Sequence, residues 1–242
     1  MHRVVGPLKW AWAIGWTIVW ATLGILTWPL SPSGSLYLRY ARIWSRMAMW
    51  GCGIEIVRVG DPKIDWSKPY VFMSSHESIF DIMALFIAVP CDIRMLSKVE
   101  LRRIPILGWS MWMAGFVFID RKSPAAAKRS IERAAASVKA GRSIVIFPEG
   151  TRGDGTTLLP FKKGGFVLAM QSGVPVVPVA IRGSAATLPK HTWVPRGGRI
   201  EVCIGDPIPT EGLGAEDKNA LADRTRTTMQ ALKDAGATRL AA

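Results

Sequence analysis

No charged residue occurs between Lys9 and Arg39, and the heart of that stretch, Trp10 to Leu30, is almost entirely apolar. A run of that length suits a hydrocarbon layer of roughly 30 Å. It predicts an apolar helix that either crosses a membrane once or dips in and returns. Pro32, Ser33 and Gly34 mark a turn after it. No small-residue cleavage site comes after the run, which favours an anchor over a removable secretory signal. In the next segment, Leu36 to Trp50, Arg39, Arg42 and Arg46 recur at i, i+3 and i+7 and share one helical face. Such a helix can lie in the headgroup layer with its guanidinium groups on lipid phosphates, or it can be an ordinary helix packed on the domain. Arg3 and Lys9 precede the apolar run, so positive charge flanks both sides and does not cleanly favour a full crossing. The three arginines argue that the domain after them faces the cytoplasm.

From about Gly53 the pattern changes. Short apolar runs predict buried strands at Ile54–Val59, Tyr70–Met73, Ile93–Leu96, Phe116–Ile119, Ile144–Phe147, Val176–Ile181 and Ile200–Ile204. Helical periodicity fills Ile79–Val89, Pro124–Ala140, Gly164–Gln171 and Glu216–Leu232. Strands and helices alternating in this way predict an α/β fold, with a mostly parallel sheet flanked by helices. The expected division is an N-terminal apolar helical membrane anchor over residues 1–52 and an α/β domain over 53–242. Pro175 and Pro178 suggest that the Val174–Val179 segment is an edge strand or a shaped wall.

The net charge of +13 adds an anionic partner to this picture: a lipid surface, a phosphorylated substrate or a nucleic acid. Of the eleven tryptophans, Trp10, Trp12, Trp16, Trp20 and Trp28 lie in the apolar run itself, and Trp44 and Trp50 follow in the next segment. That placement suits a membrane interface and argues against a nucleic-acid groove. No phosphate-loop Gly-x4-Gly-Lys-Ser/Thr is present. Cys52, Cys91 and Cys203 are too far apart to suggest a disulfide framework or a zinc site, so no metal is expected.

Ligands of open α/β sheets bind at the carboxyl ends of strands, and polar clusters fall at those ends here. Ser74-Ser-His-Glu-Ser-Ile-Phe-Asp81 places His76 on a loop and Asp81 in the first turn of the next helix, where the helix dipole favours a carboxylate. Asp81 could fix one imidazole nitrogen and leave the other free to accept a proton. The same residues also fit a capping box, Ser78-x-x-Asp81. Phe147-Pro-Glu-Gly-Thr-Arg152 supplies Gly150 for close backbone approach, the hydroxyl of Thr151 and the phosphate-binding fork of Arg152. Lys98 and Arg121 each stand beside a strand end.

Taken in order, His76-x4-Asp81, Gly115–Arg121, Phe147–Arg152 and Val174–Val179 resemble the four motif blocks of the glycerolipid acyltransferase family, over about residues 54–205. Lys98-Val-Glu-Leu, with Pro105 and Gly108 after it, is similar to the branch that acylates 1-acylglycerol-3-phosphate (lysophosphatidic acid). The resemblance implies transfer of a fatty acyl group from acyl-CoA or acyl-carrier protein to lysophosphatidic acid at a membrane surface on its cytoplasmic face. His76 would be the base and Asp81 its orienter. Arg121, Glu149, Gly150 and Arg152 match family positions associated with the glycerol phosphate. Thr151 stands among them, and Lys98 would be a further phosphate contact. The Val174–Val179 block is associated with the acyl side. Glu77, Ser78 and Ile79 fill variable positions.

A thioester is an activated electrophile, so a general base suffices, typically contributing about 10²–10⁴-fold. There is no Gly-x-Ser-x-Gly elbow for an acyl-serine. Direct transfer without a covalent intermediate or a resident cofactor is therefore expected. The sequence itself does not reveal an oxyanion stabiliser; backbone amides near His76 are one candidate. Glycerol 3-phosphate, another lysophospholipid or a lyso-aminolipid remain alternative acceptors. A non-enzymatic basic membrane or nucleic-acid-binding protein is the distant alternative, and it leaves the ordered polar clusters unexplained.

Overall fold

The computed structural model describes residues 2–60, 62–120, 123–189 and 192–235. Two long helices, α1 (His2–Leu26) and α2 (Ser35–Cys52), lead into seven strands: β1 (Ile54–Val59), β2 (Val71–Ser74), β3 (Ile93–Lys98), β4 (Val117–Ile119), β5 (Ser143–Ile146), β6 (Val176–Arg182) and β7 (Gly198–Ile204). Between and after them come α3 (Phe80–Ala88), α4 (Leu107–Met113), α5 (Pro124–Lys139), α6 (Gly164–Ser172), the single turn α7 (Ser184–Thr187) and α8 (Lys218–Asp234). The strands form one sheet in the order β1-β7-β6-β2-β5-β3-β4, parallel at every pairing except β6 with β7.

Alternation along the strands explains why both faces are covered. Phe72, Val145 and Val177 point into one core, which α2 and α3 close with Leu38, Met49, Phe80 and Leu85. Val71, Met73, Ile144, Ile146 and Val176 point into the other, closed by α5, α6 and α8 through Ile131, Val138, Phe166 and Met229. The central strands are buried on both faces, as continuous apolar runs require. Helix boundaries obey local chemistry. Ser123 caps α5 by accepting from the Ala126 amide at 3.4 Å with Pro124 in the first turn, and Gly53 ends α2 in the left-handed region at φ 70°.

Three expectations change. Among the described residues, no helix is long and apolar enough to cross a membrane. Part of α1 is committed to the protein instead. Ala13 and Ala21 are buried, Trp10 stacks on Phe80, and the Lys9 ammonium donates to the Cys52 carbonyl at 2.9 Å. The indole N–H groups of Trp12 and Trp44 are satisfied by the protein too: Trp12 donates to the Met47 carbonyl at 3.0 Å and Trp44 to Thr17 Oγ1 at 2.9 Å. The arginine face of α2 is divided. Arg42 donates to the Pro90 carbonyl at 2.8 Å and pairs with Asp92, while Arg39 and Arg46 stay exposed beside Ile43 and Trp50.

β6 is a central strand, not an edge, despite Pro178. Strand alternation turns the missing N–H toward β7, between the Val176–Ile208 bridge and the ladder that begins at Val179–Ile204. Pairing is thin at that point. The Pro178 carbonyl still accepts from Gly205 N at 2.9 Å, so the proline costs the sheet little.

Candidate active site

β2 lies between β5 and β6, so its carboxyl end opens at the middle of the sheet. The first residues past it are tied down. Ser75 N donates to the Val179 carbonyl at 3.1 Å, and Ser75 Oγ accepts from Ile181 N at 2.8 Å. His76 comes next and is gripped at four places. Its amide donates to Glu149 Oε1 at 3.0 Å, and its carbonyl accepts from Gly153 N at 2.7 Å. Its Nδ1 lies 2.8 Å from Asp81 Oδ2, and its ring stacks on Phe147 with centroids 4.0 Å apart and planes 17° apart.

The neighbours of Asp81 fix the tautomer. The same Oδ2 also accepts from Glu77 N at 2.7 Å and Ser78 N at 2.8 Å, in a side chain that is fully buried in the first turn of α3. An oxygen receiving two amide protons is a carboxylate acceptor, so Nδ1 carries the proton and Nε2 carries the lone pair. The contact to Ser78 N is the reach-back bond expected of Asp81, and the same oxygen meets the imidazole. One carboxylate thus serves both the first turn of the helix and the imidazole.

Glu149, expected among the phosphate contacts, turns its carboxylate to backbone amides. The carboxylate is buried and spent on two amides, His76 N and Leu159 N, the latter at 2.9 Å. It bridges the loop after β2 to the loop after β5. Burial pushes its carboxyl above the ordinary range, opposed by those two amide bonds. The expected oxyanion stabilisers also change, because the amides of His76, Glu77 and Ser78 are all taken by carboxylates.

The other predicted site residues lie at the ends of β3 and β5. Gly150 adopts φ 72°, where a side chain would be strained and would press on Lys162. Thr151 and Arg152 are exposed just beyond it, and Lys98 is exposed at the end of β3. Neither Lys98 nor Arg152 is spent on an ion pair or side-chain hydrogen bond among the described residues. Arg121 lies outside the described residues. Below Gly150, between α5 and α6, a cavity of about 560 Å³ is lined by Leu96, Ile131, Phe147, Lys162 and Val167. Phe147 thus separates an apolar recess from the imidazole.

Sequence reasoning missed the positioning work of Glu149, Phe147 and Glu77. Only the position of Glu149 in the loop just past β5 hinted at burial. Glu149 and Phe147 meet His76 from a segment far along the chain.

Comparison with known proteins agrees with this geometry. Residues 55–182 match the family model described as Acyltransferase. A 1-acyl-sn-glycerol-3-phosphate acyltransferase alpha from Ovis aries is 32% identical over 222 residues, covering 91% of this chain and 77% of the relative. A 1-acyl-sn-glycerol-3-phosphate acyltransferase from Saccharomyces cerevisiae is 35% identical over 189 residues, covering 76% and 62%. The fold matches the crystal structure of the 1-acyl-sn-glycerophosphate (LPA) acyltransferase PlsC from Thermotoga maritima, with a TM-score of 0.79, 23% identity and 96% of each chain covered. The motif blocks, the oriented His76–Asp81 pair and these likenesses agree: the chain belongs to the acyltransferase family, which includes the 1-acyl-sn-glycerol-3-phosphate acyltransferases.

Proposed function

We propose that this protein transfers a fatty acyl group from a thioester, acyl-CoA or acyl-carrier protein, to the free hydroxyl of lysophosphatidic acid, forming phosphatidic acid. The observation that carries the reading is the loading of Asp81 Oδ2, which leaves His76 Nε2 as the basic nitrogen at the carboxyl end of the central strand. The names of the relatives point to the same acceptor.

The acceptor hydroxyl gives its proton to His76 Nε2 as its oxygen attacks the thioester carbonyl. The tetrahedral intermediate collapses by breaking the carbon–sulfur bond. The thiolate then takes the proton from the imidazolium, which Asp81 stabilises. Lys98 and Arg152, both exposed at strand ends, suit the phosphate of the acceptor, and Arg121 joins them by its family position. Gly150 and Thr151 precede Arg152 on the loop after β5. Glu149 acts as a brace for His76 rather than as a phosphate ligand.

The setting we propose is a membrane surface with the catalytic domain on the cytoplasmic side. Leu8, Ile14, Ile18, Val19 and Leu26 of α1 are exposed, as are Trp109 and Trp112 of α4, while Arg39 and Arg46 stand on α2. Apolar side chains with nearby cations suit the interface of an anionic bilayer.

The test mixes purified protein with labelled acyl-CoA and four acceptors: lysophosphatidic acid, glycerol 3-phosphate, lysophosphatidylcholine and a lyso-aminolipid. Phosphatidic acid should form from lysophosphatidic acid, and His76→Ala should lower turnover by about 10²–10⁴-fold with the fold intact. Arg152→Ala should raise KM for that acceptor by about 10–100-fold, the worth of a hydrogen bond to a charged group, and leave KM for the thioester nearly unchanged. Transfer to another acceptor would correct the substrate. Full turnover by His76→Ala would remove the base.

A further inference from the structure

α8 turns Leu221, Thr225 and Met229 inward at four-residue intervals, and the next position of that stripe is Lys233. A lysine is rarely buried without a partner, because its charge loses hydration there. Lys233 is only 8% exposed, and its Nζ lies 2.5 Å from Glu77 Oε1 in a residue that is 4% exposed. The other carboxylate oxygen, Glu77 Oε2, is 3.3 Å from Ser184 Oγ and 3.4 Å from Ala185 N. Gly155, at φ 90°, closes over it, since a side chain there would come within 3.2 Å of that oxygen. α8 is hooked a second time at the same level, where Arg182 Nη1 donates to the Leu232 carbonyl at 3.0 Å. Breaking the Lys233 contact alone therefore does not release the helix.

Glu77 is the residue after the base, and its carboxylate makes no hydrogen bond to His76 or Asp81. Its amide, however, is one of the two that load Asp81 Oδ2. Three acidic side chains crowd this loop: Glu77, Asp81 and Glu149, all buried. Lys233 is in direct contact with one of them, Glu77.

We infer that Lys233 is a positioning residue for the His76–Asp81 pair, acting through Glu77. By holding the Glu77 side chain, it fixes the peptide amide that grips Asp81, and with it the imidazole. Its charge offsets the acidic cluster beneath the base. This rests on the reading of His76 as general base. It gives the C-terminal helix a task in catalysis that no contact with substrate requires.

The experiment compares wild type, Lys233→Met, Glu77→Gln and the double variant Glu77→Gln/Lys233→Gln. It measures kcat and KM in the transfer assay, together with the proton resonance of His76 Nδ1, assigned by its loss in His76→Ala. Lys233→Met should lower kcat by about 10–100-fold, the scale of a misplaced catalytic group, and change KM for either substrate by less than about twofold. The Nδ1 resonance should broaden or vanish. The double variant should recover most of the kcat and the resonance, because a neutral amide pair leaves no buried charge uncompensated. Glu77→Gln alone strands the lysine and should be worse than the double, which keeps the test decisive if Lys233→Met does not fold. Wild-type kcat and resonance in Lys233→Met, or no recovery in the double, would overturn the inference. Absence of His76-dependent transfer in the wild type would sink the proposed function, and the Nδ1 resonance would still decide whether Lys233 positions the imidazole.

Discussion

At the scale of single residues, the site spends carboxylates on holding amides. Asp81 takes those of Glu77 and Ser78, and Glu149 takes those of His76 and Leu159. Gln in place of Glu149 would accept only one of its two amides and present an NH₂ to the other. Glu149→Gln should therefore lower kcat by about 10–100-fold, as loss of a charged hydrogen bond and a shifted base imply. Burial raises the Glu149 carboxyl above its unfolded value, more than the two amides lower it. Its contribution to stability is thus full below the unfolded value, about 4.3, and is lost as pH rises through the folded value. Urea unfolding of wild type and Glu149→Gln at about pH 4.5 and about pH 7.5 tests this linkage. The difference should favour wild type more at the lower pH. The reverse order would mean that the folded carboxyl is held below its unfolded value.

At the scale of elements, α1 and α2 show how small residues set helix contacts. A Cβ on Gly51 would come within 2.3 Å of Trp12 Nε1, and one on Gly24 within 2.4 Å of the Tyr37 ring. Gly15, in the same helix as Gly24, has nothing within 4 Å. Gly51→Ala must displace the Trp12 indole and its bond to the Met47 carbonyl, so it should cost about 1–3 kcal/mol. Gly15→Ala should be neutral or stabilising by up to about 1 kcal/mol from helix propensity. Thermal melting of both variants separates close packing from propensity. Similar melting shifts for the two would deny the close approach of α1 and α2. The sequence located all seven strands because each is a short apolar run whose identity burial preserves. Of its two readings for β6, an edge strand or a shaped wall, the edge fails, because a proline forfeits an N–H and only the neighbouring strand decides whether that N–H is needed.

At the scale of the whole molecule, α1 and α2 contribute to a core shared with the sheet, and one side of α1 remains uncovered. Ile18 and Leu26 are 49% and 69% exposed and offer a direct test of surface attachment. Replacing both with Asp removes about 1.5–3 kcal/mol of apolar transfer at each site. Co-sedimentation with vesicles containing anionic lipid should fall steeply, with the circular dichroism spectrum unchanged. Undiminished co-sedimentation would place the membrane contact on another face. High salt should weaken binding of the wild type further, because Arg39 and Arg46 are solvent-exposed.

Sequence by itself determined the α/β class, the positions of the strands, the His76–Asp81 pair and the family, since each depends on local periodicity or on residues close along the chain. The spacing of His76 and Asp81 needs only one turn at a helix start to bring them together. Only the tertiary structure decided that Glu149 faces inward, that Phe147 lies on the imidazole, and that Lys233 reaches Glu77 across 156 positions. It also decided that α1 packs on the domain. Burial and pairing are properties of what surrounds a side chain, and for these residues the surroundings come from strands and helices far away in sequence.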